Sequence, residues 1–171
     1  MASEIKVDDI KDSAGAFTQA RLVDFAFFKD GEVQTGTTTM PLDDTIPQNT
    51  EGNQFIALPA FTPKSAINIL KITTTLQLAS STTNNRIIGA LFQDSIVDAI
   101  ATGLAARDGA ANANCMLFIT HYMIAGTTSP INFNVRAGTT SGGTTTFNGS
   151  VARFFGGTFA SFIALEEFKP D

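Results

Sequence analysis

The stretch Cys115 to Ala137, CMLFITHYMIAGTTSPINFNVRA, limits the folds open to this chain more than any other. Met116 to Ile124 is rich in β-branched and aromatic residues, which suit a pleated, half-buried surface. Ala125 to Pro130 is a cluster of turn formers. Beyond it, Ile131, Phe133, Val135 and Ala137 alternate with Asn132, Asn134 and Arg136. That period of two gives one apolar and one polar face. The stretch reads as two strands of a hairpin, and the other strong segments read as strands able to pack against them.

Phe17 to Phe28 is a first strand, with Val23, Phe25 and Phe27 on one face and Phe28 on the other. Asp30-Gly31 is the signal of a hairpin turn, leading to a Thr-rich strand, Val33 to Met40. Pro41 and Pro47 hold a loop through Thr50. Gln54 to Leu58 is a short strand, closed by a corner at Pro59 and Pro63. In Ile67 to Ala79, Leu70, Ile72, Leu76 and Leu78 face one way, and Lys71, Thr73, Thr75 and Gln77 the other. Asp94 to Ala106 has some helical periodicity, but Gly103 and the β-branched residues favour a strand and loop. Thr144 to Phe147 and Phe159 to Phe168 complete the set. Short strands at close turn spacing, with little convincing helix, predict an all-β fold: an antiparallel sandwich or barrel.

Ile87 to Phe92, IIGALF, departs from the alternation because it is apolar on both faces. A strand with one wet face alternates. Either its outer face meets another subunit, or a loop or arm of the same chain covers it. Met1 to Gly15 differs from the rest in setting Ile5, Val7 and Ile10 among six charged residues. It reads as an extended arm ahead of a domain spanning 16–171. We expect Ile5, Lys6, Val7 and Ile10 to contact a partner protein or a neighbouring subunit, as an anchor or a swapped segment. The other reading is a tail resting on its own subunit.

The chemistry of a catalyst is thin. His121 is the sole histidine and Cys115 the sole cysteine, which argues against a zinc site and excludes an internal disulfide. Asp8-Asp9 and Asp43-Asp44 lack the spacing of a calcium loop. Gly142-Gly143 and Gly156-Gly157 open no phosphate-binding helix. Asn148-Gly149-Ser150 matches the glycosylation pattern only. No cofactor, no metal and no enzymatic activity are expected. Net charge is −5 with no basic patch, which disfavours nucleic acid. No apolar run nears the roughly 18 residues of a membrane helix, and no leader is evident. Charged residues are only 16%, replaced by Thr, Ala, Asn and Gly, which suits a surface spent on protein contacts and equally an ordinary all-β domain.

Several phrases carry a resemblance. MASEIKVDDI resembles the opening of structural and fibre proteins of tailed bacteriophages. So do Thr38 to Gln48 (TTMPLDDTIPQ), Ala90 to Asp94 (ALFQD), the His121 to Gly138 segment, Thr144 to Gly149 (TTTFNG) and the close from Gly156 to Glu166. In fold, that group resembles the jelly-roll trimers of the tumour-necrosis-factor and complement globular-head type. The resemblance implies two antiparallel sheets, a homotrimer, and a place on the virion after synthesis in the host cytoplasm. With IIGALF it puts Ile87, Ile88, Leu91, Phe92 and Tyr122 at the trimer interface. The partner would be the major capsid protein or another virion protein. No shaft accompanies the jelly roll, which favours a capsid decoration (cement) protein. The alternative is a tail-fibre, tailspike or head-fibre tip that binds a host receptor or surface glycan.

Overall fold

In the computed structural model, which describes residues 21–106 and 109–170, ten strands make two antiparallel sheets. They are β1 (Arg21–Asp30), β2 (Gln34–Gly36), β3 (Asn53–Phe61), β4 (Ile69–Ser80), β5 (Ile87–Gln93), β6 (Ala101–Ala105), β7 (Asn114–Ile124), β8 (Ile131–Thr139), β9 (Thr145–Phe147) and β10 (Ser161–Lys169). The larger sheet holds β1, β10, β4 and β7, with β9 and β2 extending it at one end. The smaller sheet runs β3-β8-β5-β6. The pairings β1–β10, β3–β8, β4–β7 and β5–β6 are nested, each inside the last. That is a long hairpin wound over two layers, the jelly-roll topology. The expected all-β sandwich is present, and Asp94 to Ala106 forms loop and strand as read.

Alternation builds the core. β4 turns Leu70, Ile72, Leu76 and Leu78 inward, and β8 turns Ile131, Phe133, Val135 and Ala137 inward to meet them. All eight are essentially inaccessible to solvent. β10 contributes Ile163 and Leu165, and β7 contributes Leu117 and Ile119. At about 25 cal/mol per Å² of apolar area removed from water, side chains of this size supply most of the driving force for closing the sandwich.

Three readings are corrected. First, β7 and β8 are not a hairpin: β7 pairs with β4 and β8 with β3 and β5, in opposite sheets. The turn between them is docked on the loop before β4, through Ala125 N to Asn68 O and Gly126 N to Ala66 O, both 2.8 Å. Each strand needs the same core from opposite sides, so the six-residue turn crosses the sandwich. Second, Asp30-Gly31 makes no hairpin, because β1 pairs with β10 and β2 with β9. Instead, Asn148 Nδ2 donates to the carbonyls of Asp30 and Glu32 and holds that corner. Asn148 is fully buried with φ +62° and also accepts the Ser161 hydroxyl, so it has no room for a glycan. Third, Pro59 does not end its strand. β3 continues to Phe61, and its register breaks between Leu58 and Phe61, where a residue without an N–H can sit.

The two-sided strand IIGALF is enclosed by its own chain. Ile87 and Leu91 point into the main core. Ile88, Ala90 and Phe92 point the other way and pack with Met40 and Ala99 in a second cluster. Ile87, Ile88, Leu91 and Phe92 are each no more than 6% exposed, so they offer nothing to a neighbouring subunit. Of the two explanations for this strand, cover by the same chain is the one observed. The cover lies close on β8: Met40 N donates to Thr139 O, and Gly52 N to Thr39 O. A Cβ built at Gly138 would stand 2.7 Å from Thr38 O and 2.9 Å from Met40 N, both backbone atoms. Gly138→Ala should therefore lift the cover and cost about 2 kcal/mol, as overpacked sites do. Thermal unfolding checks this, and an unchanged midpoint would mean that the cover is loose.

Candidate interaction face on the larger sheet

Register sets four strands of the larger sheet into rows across its outer face. From β7 through β4 and β10 to β1, the rows read Phe118–Thr75–Phe162–Lys29, Thr120–Thr73–Ala164–Phe27, Tyr122–Lys71–Glu166–Phe25 and Ile124–Ile69–Phe168–Leu22. Met116 extends the β7 column opposite Gln77. Because side chains alternate along a strand, all of these project to the same side, away from the core. Phe25 and Phe27 stack with centroids 6.4 Å apart, and Phe27 meets Phe162 at 5.7 Å.

Seven large apolar residues here, Leu22, Phe25, Phe27, Met116, Phe118, Tyr122 and Ile124, are between 48% and 65% exposed. At roughly 100 Å² each, half of a large side chain's area, they leave on the order of 700 Å² of apolar surface in water. A typical monomer's largest patch is about 300–600 Å², and one side of a standard interface is about 800 Å². The face thus has the size of an interface.

Two paired charges lie at its centre, and Lys29 stands at its edge. Lys71 Nζ donates to Glu166 Oε2 at 2.5 Å, and each side chain is about 30% exposed. The hydrogen bond to Glu166 holds the Lys71 ammonium above its ordinary range, against the opposing effect of partial burial. An isolated surface pair of this kind contributes little to stability. Its importance is positional, because it is a polar island inside an apolar field.

Of the residues expected at the trimer interface, Tyr122 stands on this face, while Ile87, Ile88, Leu91 and Phe92 lie inside the molecule. Ile5, Lys6, Val7 and Ile10 fall outside the described residues. The sequence reading missed Phe25, Phe27, Phe118, Phe162 and Phe168 as surface residues. The signal was the one noticed in IIGALF: β7 carries Phe118 and Tyr122 at even positions and Leu117 and Ile119 at odd ones. A second apolar face needs a cover, and sequence does not say whether it comes from the same chain.

His121 faces inward from β7 opposite Ile72, and burial pushes its imidazole below the ordinary histidine range. Cys115 is half-buried against the main core. Asp43 accepts the N–H and the hydroxyl of Thr45, at 2.9 and 2.6 Å, closing a local turn. Among the described residues, no group of three or more His, Cys, Asp or Glu is placed to hold a metal ion. No described helix is long and apolar enough to cross a membrane.

No protein-family model matches the chain, and no curated protein matches its sequence. Solved structures do. Eiger, a tumour necrosis factor of S. frugiperda, is 11% identical, with a TM-score of 0.53 over 88% of this chain and 96% of that one. The likeness is one of fold. It agrees with the jelly-roll topology read from the strand pairing and with the fold that the phage resemblance implied. The VP2 subviral particle of infectious bursal disease virus is also 11% identical, with a TM-score of 0.40. There the match takes in 99% of this chain and 46% of the VP2 chain.

Proposed function

We propose that this chain is a structural protein of a tailed-phage virion, a capsid decoration protein that works as a homotrimer. The observation that carries the assembly is the exposed apolar face of the larger sheet. Three copies closing around an axis would each cover that face, removing from water the area that a single copy leaves wet. The virion role is supported by the phrases shared with tailed-phage proteins, and the number three by the trimeric jelly rolls that those proteins resemble. A trimer that binds the assembled shell but not loose capsid subunits stabilises the shell by mass action. The contact to the shell is assigned to the N-terminal arm through Ile5, Lys6, Val7 and Ile10, with the major capsid protein as its partner. No cofactor enters this role.

Copy number per virion tests the reading. A decoration protein should be present on the scale of the capsomers. A count on the scale of a single tail appendage would overturn decoration in favour of a fibre tip carrying a receptor or glycan site.

A further inference from the structure

The outer face of the larger sheet carries threonine hydroxyls and, at its edge, Lys29, but one row alone sets a charged pair beside an exposed hydroxyl. An apolar face without polar marks gains area in many registers and selects none of them. Tyr122–Lys71–Glu166–Phe25 is the row that breaks this. Lys71 is spent on one oxygen of Glu166. Among the described residues, neither the other Glu166 oxygen nor the Tyr122 hydroxyl has a hydrogen-bond partner. Tyr122 is the sole tyrosine of the chain and is 61% exposed. Within one copy their strands stand two spacings apart, roughly 10 Å between backbones, with Lys71 between them. No hydrogen bond joins the two groups there. Once the face is covered, each loses water, and a buried group left without a partner costs about 1–3 kcal/mol, more if charged.

We propose that on assembly the Tyr122 hydroxyl of one copy donates a hydrogen bond to the free Glu166 oxygen of the next, and that this contact sets the register of packing. The inference rests on the homotrimer reading above. Donor and acceptor lie on the same row of the same face, so a head-to-tail ring uses one of each per copy and closes with none left over. The patch area says that copies pack, and the polar row says in which register. A polar group that fixes register at a cost in gross affinity is the best-attested use of buried polarity in assemblies.

The test is sedimentation over a concentration series on the full chain, for wild type, Tyr122→Phe, Glu166→Ala and the double variant. Tyr122→Phe keeps the ring and its packing and removes only the hydroxyl. It should weaken association at least tenfold. The double variant should lose less than the product of the two single losses, since the contact can be lost only once. Glu166→Gln retains an acceptor oxygen and should lose less than Glu166→Ala. A wild-type trimer with Tyr122→Phe within twofold of it, or with strictly multiplicative effects, overturns the contact and leaves the trimer standing. A wild type that stays monomeric removes the trimer reading and the contact with it.

Discussion

A Phe118→Asp chain should sediment as a folded monomer at concentrations where the proposed wild-type trimer forms. Phe118 is 62% exposed at one corner of the outer face, opposite Thr75. In a single copy, the carboxylate would lie in water and change stability by less than about 1 kcal/mol, as exposed strand substitutions do. In a trimer, three carboxylates would be taken out of water without partners, at an effective cost of several kcal/mol each. That exceeds what one such patch gains by burial, so assembly should be lost at micromolar concentration. A matched Ile88→Asp chain should instead misfold, because Ile88 is enclosed with Met40 and Phe92. If Phe118→Asp keeps the wild-type mass, the copies pack through some other surface.

The second large effect is expected inside the fold. Glu167 is fully buried on β10. Its carboxylate accepts from Lys64 N at 2.8 and 3.1 Å, from Ser65 N at 3.4 Å and from Asn68 Nδ2 at 2.6 Å. Lys64 makes a further tie, its ammonium standing 2.9 Å from Asp24 and holding that carboxyl below its ordinary range. Glu167 thus organises the loop before β4. That loop in turn supplies the Asn68 and Ala66 carbonyls that dock the β7–β8 turn. Glu167→Ala would leave three donors unpaired, the Asn68 amide buried and the Lys64 and Ser65 N–H groups part-buried. At about 1–3 kcal/mol for the more completely buried ones, the loss should be about 3–5 kcal/mol. For a chain of this length that lowers the thermal midpoint by roughly 10 °C or more, measured at one fixed protein concentration. Glu167→Gln keeps one acceptor oxygen and should lose about half as much. A midpoint unchanged in both variants would mean that water replaces the carboxylate and that the loop is not held by it.

Local pattern and long-range pairing divide the legibility of this fold between them. The alternation in Ile67 to Ala79 is strictly local, and the face it predicted inward is the face found inward. The same holds for Ile131 to Ala137, whose apolar residues all reach the core. Where two apolar faces compete, local pattern cannot choose. β1 presents Phe25 and Phe27 outward and turns Ala26 toward the core, because its partner β10 has Ile163 and Leu165 on the inner side. β5 is apolar on both faces too, but there Met40 and Ala99 close over the outer one. Nothing within Ile87 to Phe92 encodes that, since the cover comes from residues some fifty positions upstream and a loop downstream.

The sequence by itself determined the all-β class, the strand positions and the inward faces of β4 and β8, because side-chain alternation is a property of each strand alone. It also marked β5 as a strand needing cover on both sides, and left β7 read as half-buried. Only the tertiary structure decided which of the two is covered by its own chain. It also decided that the central pair of strands splits between sheets, and that Tyr122, Lys71 and Glu166 share a row. Those outcomes depend on register between strands far apart in the chain, which is set by the sum of core contacts and by buried ties such as Glu167 to the loop at Lys64 to Asn68.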